Sequence, residues 1–330
     1  MIRDGSHSAS RSARQVPLGT PPPLLVIAGA TATGKTGLSI DVAERLAGEG
    51  IAAEIISADS RQVFRGLDIG TAKATIEERR GVPHHGLDLV EPDEAFSLAD
   101  YADHARIALA GIAERRGLAI LVGGTGLYLR AVARGIDTTA LPADVAVRAR
   151  LEEELATEGL DLLVARLIKL APGRASRVDA RNPRRVVRAL EMAELEGDAP
   201  PPAPRGYAGS VAWIGLALDP ASHRDWIATR ARGQFDGGLI EEARALRERF
   251  DPTLPAFSAI GYREAWAVLD GRLDREAAIA EDARRNIAFA KRQRTWFRAE
   301  PDITWLDAAS RSRLEDVLHA ARRLQAAETA

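Results

Sequence analysis

The sequence predicts an α/β protein: a mostly parallel sheet carrying a phosphate-binding loop, with a helical segment inserted into it. Three observations lead there. Short apolar runs that stop at glycine or aspartate alternate with helical periodicity, the signature of parallel βαβ units. A Gly-x-x-x-x-Gly-Lys-Thr sequence joins the first of these runs to the first helix. Past Gly135 the strand signal gives way to nearly continuous helical periodicity and returns only at Val211.

Leu24 to Gly29 is an apolar run that ends in glycine, and a helical pattern follows from Lys35 to about Ala47. Ala53 to Ala58 repeats the strand signal and ends in Asp59; Ala119 to Val122 gives another, ending in Gly123 and Gly124. Ser97, with Asp100 at the third position after it, is a capping-box-like start for a helix over Leu98 to Arg115. The helical segment ends near Pro200, Pro201, Pro202 and Pro204, which cannot be helical. Val211 to Leu218 reads as a strand returning to the sheet, and the rest as helix apart from a short strand at Ile303 to Leu306. The expected organisation is a flexible tail over 1–23, a core over 24–138 plus 199–330, and an inserted helical domain over 139–198.

With 330 residues and 46% hydrophobic side chains, the chain can bury one large or two ordinary cores, which excludes disorder throughout. It has no cysteine, so disulfides, thiolate zinc sites and cysteine nucleophiles are excluded; six histidines argue against a dedicated metal cage. The longest apolar stretches, such as Leu24 to Ala32, fall far short of the roughly 18 to 20 residues of a bilayer span. The serine- and arginine-bearing N-terminus lacks the apolar region of a secretory signal, and Asp4 and weak amphipathicity argue against a transit peptide. A soluble cytoplasmic protein, without a membrane partner, is expected. The 45 basic and 47 acidic residues leave a formal net charge of -2, which on its face argues against a nucleic-acid partner. Only four basic residues are lysine (Lys35, Lys73, Lys169, Lys291) and 41 are arginine, a bias that a GC-rich genome explains.

Gly29, Ala30, Thr31, Ala32, Thr33, Gly34, Lys35 and Thr36 form the phosphate-binding loop. Glycines let backbone amides and a helix N-terminus face an anionic diphosphate, Lys35 adds a point charge, and the Thr36 hydroxyl can ligate Mg²⁺. A nucleotide hydrolase also needs a magnesium-holding aspartate closing a second strand. The strand Ala119 to Val122 ends without a carboxylate, whereas Asp59 closes the strand from Ala53, so a small-molecule kinase reading is weakened but stays open. Alone, Asp59 reads as a helix cap more often than as a catalyst. Beside a diphosphate loop, at the carboxyl end of a strand, it reads as a base or metal ligand.

Seven segments together resemble the tRNA dimethylallyltransferase family. They are the loop 29–36, Ser-Ala-Asp-Ser-Arg-Gln-Val-Phe (57–64), Asp-Ile-Gly-Thr-Ala-Lys (68–73), Leu-Val-Gly-Gly-Thr-Gly-Leu-Tyr-Leu (121–129), Asn-Pro-Arg-Arg-Val-Val-Arg-Ala-Leu-Glu (182–191), Ala-Ile-Gly-Tyr-Arg-Glu (259–264) and Ala-Lys-Arg-Gln-Arg-Thr-Trp-Phe-Arg (290–298). The resemblance spans about 24 to 306 in the family's order. It implies transfer of a dimethylallyl group from dimethylallyl diphosphate to the exocyclic amine of the adenosine 3′ of the anticodon, with Mg²⁺, in a chain acting as a monomer. By similarity Asp59 is the base, Thr125 places the substrates, and Arg230 meets the diphosphate; without the resemblance Arg230 would read as a solvated helix-face arginine. The tRNA anticodon stem-loop would meet Asp59, Ser60, Arg61, Gln62 and Thr125 at the strand ends, and Arg148, Arg184, Arg185, Val186, Val187 and Arg188 in the helical segment. Farther on it would meet Gly261, Tyr262 and Arg263, then Lys291, Arg292, Gln293, Arg294, Trp296 and Arg298.

Local charge supports an RNA partner where total charge does not. Arg174 to Arg188 carries six arginines against Asp179, and Arg284 to Arg298 carries six cations and no acid, giving +5 and +6. Trp296 and Phe297 could stack on a flipped base, but Phe289, Gln293 and Trp296 share helical spacing, which favours packing for Trp296. His84 and His85 follow Pro83 as in the family and read as loop residues near the site. The sequence departs from the family pattern at Ala30 and Ala74, where proline is usual, and at Asn286 and Ile287, where Thr-Arg is common. A phosphate contact from that arginine is then absent or supplied by Arg284 or Arg285. The cysteine-histidine zinc module of some eukaryotic relatives is absent. A third reading, an RNA-binding protein with a vestigial loop, is opposed by Lys35, Thr36, Asp59 and Thr125 occurring together.

Overall fold

The computed structural model describes residues 20–138 and 141–329. Its strands are β1 (Leu24–Gly29), β2 (Ala53–Ser57), β3 (His84–His85), β4 (Leu118–Gly123), β5 (Val211–Ala217) and β6 (Ile303–Asp307). They form one six-stranded sheet, ordered β3-β2-β4-β1-β5-β6, with every pairing parallel. Every residue of β1, β2 and β4 is buried, as strands covered on both faces must be. Period-two alternation divides them: Leu25 and Ile27 of β1 enter one core, Leu24, Val26 and Ala28 the other.

The helices are α1 (Lys35–Gly48), α2 (Leu98–Glu114), α3 (Gly126–Ala133), α4 (Val145–Glu158), α5 (Leu160–Leu170), α6 (Pro172–Ala175), α7 (Pro183–Glu196), α8 (Pro220–Asp236), α9 (Leu239–Arg249), α10 (Tyr262–Leu269), α11 (Arg275–Arg298) and α12 (Arg313–Thr329). One core lies under α1 and α12, through Leu38, Val42 and Leu46 of the first and Val317, Leu318 and Ala321 of the second. The other lies under α2, α3 and α8 to α11. The predicted cap of α2 forms as a reciprocal capping box between Ser97 and Asp100.

Helices α4 to α7 surround a separate small core of Leu151, Leu163, Leu167, Val186, Val187 and Leu190. The chain enters and leaves this unit at one place, where Arg205 and Gly206 donate their N–H groups to the carbonyls of Gly135 and Arg134. The stretch is not one continuous helix. It breaks at Gly159, whose φ of 86° a side chain resists, at Pro172, and before Pro183, where Asn182 caps α7 through the Arg185 N–H. His84 and His85, expected in a loop, form edge strand β3 instead, paired with Ile55 and Ile56. Of the tail expected over 1–23, residues 1–19 lie outside the described residues, as do 139 and 140 at the start of the expected insertion. Among the described residues no helix is long and apolar enough to cross a membrane.

Candidate active site

The site lies at the carboxyl ends of β1, β2 and β4, where an open parallel sheet splits its connections to either face. Gly34, with φ 74°, lets the chain turn from the loop after β1 into α1, so the start of α1 faces a cavity of about 880 Å³. Thr31 to Thr36 line this cavity, while Ala30 is buried behind it. The Lys35 ammonium is folded back onto the loop, donating to Ala30 O at 2.6 Å and Thr33 Oγ1 at 3.5 Å. Burial, and then the neighbouring Arg230, lower its pKa to about 7 against the opposing pull of Asp59.

A second wall comes from the ends of β2 and β4. A side chain at Gly123 would put its Cβ 2.1 Å from Ala58 O, so only glycine lets the strand ends approach this closely. Thr125 N then donates to Ala58 O, and Ser60 N donates to Thr125 Oγ1 at 3.0 Å, which sets Thr125 beside Asp59. Asp59 Oδ1 accepts from Arg61 N at 2.8 Å. Tyr101 donates to Ser57 O at 3.0 Å and stacks on Tyr128, fixing this platform from below. Burial pushes the Tyr128 hydroxyl up to about 12, so it stays protonated at neutral pH.

Helices α8 and α11 close the loop from above. Arg230 donates from Nη1 to Thr31 Oγ1, and burial holds its pKa below the usual guanidinium range, against Asp59 and Asp282. Gln293 accepts from Thr31 N at 2.8 Å and donates to Gly124 O at 2.9 Å. His223 bonds Thr31 O through Nε2, and Arg294 donates to its Nδ1, so Nε2 carries the proton. His223 was not singled out from the sequence. It lies seven residues before Arg230 on one helix, two turns along the same face, and that spacing is the signal that could have found it.

The other predicted contacts separate into groups. Asp59, Ser60, Arg61, Gln62, Thr125, Arg230, Arg292 and Gln293 line the cavity. Arg184, Arg185, Arg263, Lys291 and Arg298 are exposed outside it, and Arg184 is close enough to Arg61 to act on its charge. Several expectations need correction. Val186 and Val187 are 0% and 4% exposed in the helical core, so their side chains pack and do not meet an RNA. Tyr262 is fully buried, and its hydroxyl donates to Glu242; Gly261 is buried beside it. Trp296 packs against Gly126 with the Arg130 guanidinium over its ring, the packing role that its helical spacing favoured. Gln293 and Arg294 tie the phosphate loop down, and Arg148 and Arg188 both neutralise the buried carboxylate of Glu191. The +5 and +6 runs are also partly tied up inside the protein: Arg174 donates from Nε to Gly197 O, Arg284 pairs with Glu281 one turn before it on the same helix, and Arg285 pairs with Glu264 of α10.

Sequence reasoning also missed Glu242 of α9. Its carboxylate accepts the N–H groups of Asp68, Ile69 and Gly70 at 3.2, 2.8 and 3.1 Å, as well as the Tyr262 hydroxyl at 2.8 Å. It thereby holds the segment 68–73, and Lys73, buried between Asp68 and Asp88, holds the other end. Lys73 is thus a structural ion pair and not a site residue.

A parallel sheet with a phosphate loop, a carboxylate and arginine facing it across one cavity, and an arginine-bearing helical unit beside that cavity define a group-transfer enzyme acting on a phosphorylated substrate. The chain belongs to the IPP transferase family, whose model matches residues 62–300. It is 47% identical to a tRNA dimethylallyltransferase of Anaeromyxobacter sp. (strain K), over 86% of this chain and 92% of the relative. Against the tRNA dimethylallyltransferase of Bifidobacterium animalis subsp. lactis the identity is 42%, over 89% and 85%. The crystal structure of the full-length tRNA isopentenylpyrophosphate transferase from Bacillus halodurans superposes with a TM-score of 0.67 at 37% identity, covering 93% of this chain and 97% of that one. A eukaryotic dimethylallyltransferase crystallised acting on tRNA gives a TM-score of 0.72 at 25% identity, covering 92% and 77%.

Proposed function

We propose that this chain is a tRNA dimethylallyltransferase, moving the dimethylallyl group of dimethylallyl diphosphate onto the exocyclic amine of the adenosine 3′ of the anticodon, in tRNAs that read codons beginning with U. One observation carries the reading: Asp59 and Thr125 face Lys35 and Arg230 across a cavity that offers both a proton acceptor and an anion site. The diphosphate lies against the loop amides, Lys35 and Arg230, which stabilise the charge that grows on oxygen as the allylic C–O bond breaks. The adenosine amine forms the new C–N bond and gives up its proton to Asp59, held ready by the Arg61 N–H. Thr125 orients the acceptor beside Asp59.

Mg²⁺ suits this site because the Thr36 hydroxyl, an oxygen donor, faces the cavity next to the diphosphate position, which leaves Asp59 free to act as the base. Among the described residues no cluster of three or more histidine or acidic side chains forms a protein-only cage, so the substrate phosphates and water complete the set. Bound there, the ion would neutralise the departing diphosphate. The helical unit and the exposed cations Arg184, Arg185, Arg263, Lys291, Arg292 and Arg298 supply a surface for the anticodon stem-loop. A single chain furnishes every group invoked, which fits a monomer working in the cytoplasm. The kinase reading fails to use the helical unit.

With dimethylallyl diphosphate, Mg²⁺ and an adenosine-bearing anticodon stem-loop, Asp59→Asn is expected to lower turnover by about 10²- to 10⁴-fold while donor affinity changes little. Wild-type turnover in the variant would remove Asp59 from its role.

A further inference from the structure

Two charged groups, one in the cavity wall and one buried on α11, are left half-satisfied, and they are complementary. Arg230 uses Nη1 on Thr31 Oγ1, but its Nε is buried without a partner. Asp282 of α11 is 0% exposed; Asn286 Nδ2 donates to its Oδ1 at 2.7 Å, while Oδ2 is buried with no partner. Helices α8 and α11 pack together here. Ile227 and Ala290 share a small cluster with Ala283, and Thr229 and Gly233 share a shallow groove with Ile279 and Ala283, so the turns that carry Arg230 and Asp282 are neighbours. Each of the two charges acts on the protonation of the other. A buried donor and a buried acceptor without partners are a desolvation cost that a second state of the site can recover.

Resting on the reading of Arg230 as a diphosphate contact, we propose that Asp282, held by Asn286, is a positioning residue for Arg230. When the diphosphate draws the guanidinium toward the loop, Nε–H donates to Asp282 Oδ2, which fixes the guanidinium plane and aims its Nη groups at the leaving oxygens. Asn286 is one of the positions at which this chain departs from the pattern it resembles. Around Asp282 stand Glu264 of α10, and Arg285 and Asn286 on its own helix, with Arg230 opposite. Burial first, with Glu264 adding to it, pushes the Asp282 carboxyl up to about 6 against Asn286 and the two arginines. The hold on Arg230 is therefore present above pH 6 and lost as pH falls through it.

The test is Asp282→Leu, which removes the acceptor. In ¹H–¹⁵N spectra of the arginine Nε groups, adding inorganic diphosphate with Mg²⁺ is expected to bring up one protected Nε–H resonance, absent in Arg230→Lys and absent in Asp282→Leu. In the transfer reaction kcat is expected to fall about 10- to 100-fold, KM for the stem-loop to stay unchanged, and the acid limb near pH 6 in kcat/KM for the donor to vanish. A general loss of folded protein would lower kcat without removing that limb. A protected resonance that survives in Asp282→Leu, or a kcat within twofold with the limb intact, would overturn the proposal. Should Asp282→Leu not fold, Asn286→Ala frees Oδ1 without changing charge; a weakened resonance and a lowered kcat are expected, and no change in either overturns it. If the wild type transfers no prenyl group, the functional reading fails by itself, and the resonance still decides the role of Asp282.

Discussion

Lys35 is a cation held where cations are disfavoured, and its pH behaviour follows from that. Its pKa of about 7, set first by burial and then by Arg230, belongs to the protein without an anion; a bound diphosphate opposes that shift by supplying opposite charge. Below pH 7 the lysine is already charged when the donor arrives, and above it a proton must be taken up. Donor affinity is therefore expected to weaken as pH rises above 7. Calorimetry in two buffers of different ionisation enthalpy should show proton uptake that Lys35→Met lacks. Because the folded state disfavours the charged form, its stability penalty is present below pH 7 and fades as pH rises toward the unfolded value of about 10.4. Lys35→Met should then unfold at a higher temperature at neutral pH, with a gain of about 1 kcal/mol or more, though inactive. An unchanged or lower melting temperature would show that the ammonium is better solvated than its surroundings imply.

At the scale of elements, the site depends on supports that lie outside the motifs. Glu242→Gln keeps the shape of the side chain but replaces a charged acceptor of three N–H groups with a neutral one. A loss of about 1 to 3 kcal/mol in chemical denaturation is expected, with faster amide exchange in 68–73. In the helical unit, Leu190→Ala should cost about 2 to 5 kcal/mol, and exchange should rise in α4 to α7 while β1 and β4 keep their protection. Uniform loss of protection would mean that the two cores unfold together. The elements themselves were legible because their signals are local: apolar runs for β1, β2 and β4, the Ser97 box for α2, and the Gly-Lys-Thr loop. Strand β3 was not legible. Two histidines carry no strand propensity, and only the unpaired edge of β2 recruits them. Nor was the role of Gln293, Tyr262 or Glu242, since each is defined by a partner far away in sequence.

Over the whole molecule, the net charge of -2 conceals where cations are free. Sequence counting located two basic runs, but could not tell Arg184, which is exposed, from Arg148 and Arg188, which neutralise Glu191. That distinction predicts unequal salt effects. Replacing Arg184, Arg185 and Arg292 by glutamine should flatten the plot of log affinity for the stem-loop against log salt by about 2 to 3. Arg148→Gln should leave the slope unchanged and lower the stability of the helical unit. The central claim is that this cavity joins a prenyl donor to an adenosine in tRNA. Its most direct test is mass spectrometry of nucleosides released from tRNA after incubation with the protein, dimethylallyl diphosphate and Mg²⁺. An adenosine heavier by one dimethylallyl substituent, dependent on Asp59, is predicted; unmodified adenosine from folded protein across a full tRNA pool would contradict it.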